Sequence, residues 1–277
     1  MMFKTIPLFI LLLSGFASAD AQYYYKDLVS NKWLLADMDF YRQNKIRTVT
    51  AKSFDDDGSE SRGFFCEKKI SRDYKKMSLF TRADISAASE FNSEFDDDGK
   101  LIHTNDSSAL SVTDIRYSYD SKKRIHAIFS VIRSQDDDFS NDISEEHIYI
   151  YNAAGNPEKM FLVKNRRDTS EIDFAGDEKG NITIEKNTKN GAKYYYYYDA
   201  KNRLTDIVRG TDSEKRLKPD YMFEYNSAGD ITQMTSVEEG SSNYFIWKYV
   251  YDNGLRIKDR CYSDERKLMG SIEYEYK

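Results

Sequence analysis

The chain has 277 residues with 41 basic and 47 acidic side chains, a net charge of −6. Lys and Arg are scattered among Asp and Glu, so no basic stripe is offered to a phosphate backbone, which argues against nucleic acid as a partner. Three prolines against 22 tyrosines and 16 phenylalanines argue against disorder, because that aromatic load supplies ample apolar area for a core.

Residues 1–19 have the three parts of a secretory signal: Lys4, the apolar run Ile6 to Leu13, and Ala17-Ser18-Ala19 ahead of Asp20. The apolar run is far short of the ~20 residues of a spanning helix, and Phe16 stands where a lipidated cysteine would be. The expectation is an exported protein, periplasmic or extracellular, with no membrane span after signal cleavage. Residues 20–90 read as an N-terminal capping region with one eroded repeat headed by Phe54. Within it Tyr23 to Tyr25, Trp33-Leu34-Leu35 and Phe40-Tyr41 are apolar enough to dock on the first strands, and Asn31 to Gln43 admits a short, poorly capped helix. Cys66 and Cys261 would lie on the order of 70 Å apart in a flat sheet. A disulfide needs its α-carbons within about 7 Å, so separate buried thiols are expected unless the sheet closes.

From about residue 91 the chain repeats. FDDDGKL at Phe95, YDSKKRI at Tyr119, YNAAGNP at Tyr151, GDEKGNI at Gly176, YDAKNRL at Tyr198, YNSAGDI at Tyr225 and YDNGLRI at Tyr251 are spaced by 22 to 32 residues. Two positions before these anchors stand Tyr117, Tyr149, Phe174, Tyr196, Phe223, Tyr249 and, in a final half unit, Tyr274; Ser93 dissents. Six positions after them stand Leu101, Ile125, Pro157, Ile182, Leu204, Ile231 and Ile257. Aromatics at period two followed by an aliphatic beyond a reversal describe strand, tight turn, strand. The predicted fold is all-β, an antiparallel β-hairpin repeat meander of about sixteen strands, and a sheet of that size curls or splits.

The twice-occurring FDDDG occupies the slot of YNAAG and YNSAG. Asp or Asn first and Gly three residues later suit a type I turn followed by positive φ. Neither copy completes an EF-hand loop, since Asn105 and Phe64 stand where the twelfth-position Glu is needed. A third triplet, Asp136 to Asp138, reads as a solvated loop.

YDAKNRL and YDSKKRI resemble the YD repeat, the Y-D-x-x-G-[RN]-L unit of Rhs-type bacterial proteins and teneurins. The likeness covers roughly residues 90 to 277. It implies antiparallel hairpins, which in the long arrays of that family spiral into a shell around another polypeptide. Too few units stand here for a large shell, and no toxin-like module is appended, so the enclosing role is not carried over.

His103, His126 and His147 have no zinc-ligand spacing, and no nucleophile elbow, P-loop or dinucleotide glycine pattern occurs. No catalytic residue, metal ligand or cofactor is assigned, and a non-enzymatic protein is expected. The most suggestive stretch is Tyr194 to Tyr198. In a strand Tyr195 and Tyr197 turn away from the repeat's aromatic face, either packing a second layer or forming an exposed platform for a sugar ring or peptide. Tyr249 and Tyr251 would extend it if the strands lie close in space. The expected function is a binding or scaffolding surface toward cell-envelope glycan or an envelope protein. The alternatives are a hydrolase of envelope polymers using paired carboxylates, or a strand-edge module pairing through Ser271 to Tyr276.

Overall fold

In the repeated corners the leading Asp or Asn folds its side chain onto the backbone ahead of it. Asp96 Oδ1 accepts the N–H groups of Asp98 and Lys100 at 3.0 and 2.8 Å, and Gly99 closes the turn at φ 78°. Asp120, Asp177, Asp199 and Asn226 repeat the pattern, and Asn202 adopts φ 63° where other copies have Gly. Both acidic FDDDG stretches are therefore turns: in the second the first Asp, Asp96, organises the reversal, and in the first Asp57 accepts the Ser59 N–H at 2.9 Å. This computed structural model describes residues 22–84, 86–135, 142–211, 217–238 and 243–277. The expected leader and the triplet Asp136 to Asp138 lie outside them.

The corners and looser return loops connect 18 strands. The first six are β1 (Thr48–Phe54), β2 (Phe65–Ile70), β3 (Lys76–Ala83), β4 (Ser86–Phe95), β5 (Leu101–Ser108) and β6 (Ser111–Tyr119). Next come β7 (Ile125–Ser134), β8 (Ile143–Tyr151), β9 (Pro157–Lys164), β10 (Asp168–Gly176), β11 (Ile182–Asn187) and β12 (Ala192–Tyr198). The last are β13 (Leu204–Thr211), β14 (Lys218–Tyr225), β15 (Ile231–Val237), β16 (Tyr244–Asp252), β17 (Leu255–Tyr262) and β18 (Leu268–Tyr276). Each pairs antiparallel with its neighbours in sequence, and β1 pairs with both β2 and β18.

The antiparallel hairpin meander expected is present, and its curl is complete: the sheet is a closed up-and-down barrel. Closure removes both sheet edges. Val49 to Phe54 of β1 run opposite Tyr276 to Ser271 of β18, so the stretch expected to serve as a free pairing edge is already paired. Closure also brings Cys66 on β2 and Cys261 on β17 to three strand spacings apart, about 14 Å along the wall. That remains too far for a bridge, and both thiols are free and buried.

The aromatic column two residues before each anchor faces the barrel interior. Tyr149, Phe174, Tyr196 and Phe223 are buried, and Tyr117 and Tyr249 pack against the same cluster. Of the aliphatic column, Leu101, Ile125, Ile182 and Leu204 are buried with them. Ile257 departs from it and is 36% exposed. The reason is the turn: Asn253 and Gly254, both at positive φ, form a two-residue hairpin that sets Tyr251 opposite Arg256. One residue fewer in the corner turns Ile257 outward and leaves Arg256 in the inward slot.

A helical segment crosses the interior. A π-helical turn, Tyr24–Val29, continues directly as α1 (Ser30–Gln43). Its length is roughly 30 Å at α-helical rise. Its first residues are bound by β11 and Tyr41 near its end by β2, which stand on opposite sides of a ring of 18. The helix expected around Asn31 to Gln43 exists as an internal crossbar that docks on the first strands from inside, Leu34, Met38 and Tyr41 packing with Val49, Cys66, Met77 and Phe91, while Tyr23 packs with the later strands. Tyr23, Leu34, Met38 and Tyr41 are buried along one face, while Lys32, Ala36 and Asp39 stand exposed on the other.

Candidate functional site

The crossbar lacks a side-chain cap of its own. Glu185, projecting inward from β11, supplies one instead: its two carboxylate oxygens accept the N–H groups of Gln22, Tyr23 and Tyr24 at 3.0, 3.1 and 2.9 Å, and the Tyr196 hydroxyl at 2.7 Å. These are donors that a helix start leaves unsatisfied, met by a negative charge where the helix dipole favours one. Burial nevertheless pushes the Glu185 carboxyl up, with the three N–H groups and Tyr196 opposing it. Gln22, at φ 75°, adds a side-chain bond to Asp220.

One turn on, Asp27 is buried against β8. Its carboxylate lies 2.6 Å from His147 Nδ1 and accepts the Tyr149 hydroxyl at 2.6 Å, while His147 Nε2 lies 2.6 Å from Glu145. Burial alone would lower the imidazole, but Asp27 and then Glu145 outweigh it and hold His147 at about 9. His147 is therefore a charged structural link between crossbar and wall. A sequence reading assigns it an ordinary strand place, because Asp27 is 120 residues away and carries no local signal. Glu145 is held below the usual carboxylate range by His147 and Lys164 against the opposing effect of burial.

At the far end Lys68 donates to the Tyr41 hydroxyl at 3.3 Å. Phe40 lies over Gly254 and Arg42 over Gly99, where an added Cβ would meet them at 3.4 and 3.8 Å. The inward Arg256 pairs with the buried Asp259, which also accepts the Tyr274 hydroxyl at 2.7 Å, and lies 3.8 Å over the Tyr249 ring.

A second regularity runs along the rim that carries the corners. The anchor hydroxyls each donate to a backbone carbonyl one hairpin back: Tyr119 to Leu101, Tyr151 to Ile125, Tyr198 to Ile182, Tyr225 to Leu204, Tyr251 to Ile231 and Tyr276 to Arg256, at 2.6 to 3.0 Å. Arg124 and Arg203 grip the leading Asp of their own turn and lie over the next anchor ring, Tyr151 and Tyr225, at 4.1 and 4.5 Å. Lys100 lies likewise over Tyr119 at 5.0 Å, so in the copies with a basic residue before the aliphatic at Lys100, Arg124 and Arg203 that residue joins successive units.

The four tyrosines expected to form a platform are not brought together. Tyr195 and Tyr197 lie on the outer face of β12, Tyr197 being 47% exposed. Tyr249 and Tyr251 face inward on β16: Tyr249 lies under Arg256, and Tyr251 is one of the rim staples. Elsewhere the outer wall carries charged cross-strand pairs, Lys52–Glu275, Lys76–Glu94 and Lys258–Glu273, at 2.9, 2.8 and 2.7 Å.

On that outer wall a concavity of about 450 Å³ lies across β6, β7 and β8 and the β9–β10 turn. It holds Arg116, Arg133 and Arg166 together with Asp114, Asp142 and Phe129. Asp114 is paired with His103 at 2.6 Å and with Arg116 at 3.4 Å, and Asp142 with Arg133 at 3.2 Å. Each of these two carboxylates thus already faces a cation.

No family model and no curated protein matches the chain. Among solved structures, a porin-like protein from Bacteroides uniformis aligns with 84% of this chain and 98% of its own at 10% identity and a TM-score of 0.38. A porin-like protein from Bacteroides vulgatus gives the same coverages at 11% identity and 0.30. The crystal structure of TcdB2-TccC3-Cdc42 aligns with 78% of this chain but only 16% of its own, at 10% identity and 0.28. Overlap at this level assigns neither a family nor a function. Among the described residues no helix is long and apolar enough to cross a membrane.

Proposed function

We propose that the protein is an exported, non-enzymatic barrel whose outer wall is a binding or scaffolding surface toward an envelope glycan or envelope protein. The observation that carries this reading is the crossbar: the barrel interior is occupied by the chain's own helix, fixed at its start through Glu185, Asp27 and His147. A helix laid across the lumen disfavours free passage, though Lys32, Asp37 and Asp39 on it stand exposed, and leaves the outside as the working face. That outside bears ionised cross-strand pairs where a lipid-facing barrel would carry an apolar band, a placement costing about 2–4 kcal/mol per Lys or Arg at a bilayer midplane. A water-facing wall after signal removal agrees with both. The Asp- and Asn-led corners, the inward aromatics and the basic residue before the aliphatic at Lys100, Arg124, Arg203 and Arg256 support a relationship to the YD repeat. A glycan array and a pull-down from envelope extract test the reading. Specific retention of a glycan or an envelope protein is expected, and blanks in both at high protein concentration would overturn it.

A further inference from the structure

We infer that the outer concavity between β6 and the β9–β10 turn binds a carboxylate-bearing saccharide. The inference rests on the outer wall being the binding surface, and narrows it to one place and one ligand chemistry.

Strand register builds the floor. Arg116 stands directly opposite Phe129 across β6 and β7, and Asp114 opposite Val131, which in turn faces Ser144 on β8. The far side is a pinned turn. Asn165 Oδ1 accepts the Ser144 N–H at 3.0 Å, the Asn165 N–H donates to the Ser144 carbonyl at 2.7 Å, and Asn165 and Arg166 both hold positive φ. Arg166 is therefore presented from a fixed backbone.

Charge then selects the ligand. Three guanidinium groups meet Asp114 and Asp142 here, with Glu146 opposite Phe129 across β7 and β8, and Arg166 is the guanidinium without an acid partner among the described residues. Arg116 and Arg133 reach their acids through Nε, at 3.4 and 3.2 Å, and their side chains remain 73% and 51% exposed. The exposed ends of both forks can meet an incoming acceptor. Guanidinium forks match carboxylate geometry better than an ammonium would. Phe129 offers an apolar face on which the C–H side of a sugar ring can lie. Ser144, Asn165 and the acceptor oxygens of Asp114 and Asp142 suit hydroxyl groups. A bare inorganic anion would use the arginines and leave the rest idle, whereas a sugar acid uses all of them.

The test is calorimetry of the full chain at low salt with a galacturonic acid oligomer, a neutral galactose oligomer and inorganic phosphate as probes. Arg116→Gln and Arg166→Gln, each checked for an unchanged circular dichroism spectrum, remove one fork apiece. The acidic oligomer should bind at least tenfold more tightly than the neutral one, and each variant should weaken it about tenfold, as loss of a charged hydrogen bond does. Equal binding of the neutral oligomer, or competition by phosphate at equal concentration, overturns the ligand class. Acid binding unchanged in both variants overturns the site but leaves the outer-wall reading standing. Failure of the acidic oligomer to bind overturns this inference, and blanks on the glycan array and in the pull-down would remove the broader reading as well.

Discussion

The two ends of the crossbar are fastened by different chemistry. At the start, two carboxylates, Glu185 and Asp27, collect three backbone N–H groups, two tyrosine hydroxyls and a charged imidazole, all in the barrel interior. At the other end, one amine-to-hydroxyl bond from Lys68 and packing of Phe40 and Tyr41 hold the helix. A helix entering a closed barrel brings orphan N–H donors at its beginning, and an acceptor must come from the wall because no water-facing loop can supply one. Its end is packed by side chains and closes its chain through the Asn44 N–H to Phe40, so the wall there needs less polar equipment.

Substitutions at the two ends should separate these contributions, the largest effects coming first. Glu185→Ala leaves three buried N–H groups and a hydroxyl without an acceptor. Thermal and denaturant unfolding should show a loss of about 3–5 kcal/mol, the range for breaking a buried charged network. Asp27→Asn leaves a buried imidazolium with Glu145 alone, and about 3 kcal/mol should be lost at pH 7.

That second pair also predicts a pH dependence. His147 is raised from 6.5 to about 9 in the folded chain, so its contribution is complete below about pH 6.5 and disappears as pH rises through 9. Denaturant midpoints of the native chain should fall between pH 7 and 10. The same series in Asp27→Asn should be flatter, and an equal slope would show that the link does not carry charge.

Lys68→Met should cost only about 1 kcal/mol, since it exchanges a buried amine and one hydrogen bond for an apolar side chain of similar length. A loss as large as that of Glu185→Ala would erase the contrast between the ends. Smallest, Tyr225→Phe removes one rim staple to the Leu204 carbonyl and should cost about 1 kcal/mol or less, whereas Tyr197→Ala on the outer wall should stay within about 0.5 kcal/mol.

Local chemistry was readable from the chain. The Asp- and Asn-led corners, the inward aromatic column and the outward turn of Tyr195 and Tyr197 follow from period and turn residues alone. The rim staples were half visible: the tyrosine anchors recur, but their hydroxyl targets are backbone carbonyls, which leave no mark in a sequence. Ile257 was misplaced because a two-residue Asn-Gly corner was counted as though it had the length of the others. Closure depends on pairing residues 49–54 with 271–276, a separation beyond any periodicity. The links Asp27–His147 and Glu185–Tyr24 exist only once the ring has formed, so a histidine and a glutamate with ordinary strand neighbours gave no warning of their roles.

The seam where the first and last strands meet sets a condition on folding. The partner of β1 is β18, so until Ser271 to Tyr276 dock on Val49 to Phe54 the wall keeps two raw margins. Shortening the chain by β18 would reopen both margins at once, turning a self-contained cylinder into a sheet that invites other chains to add to it.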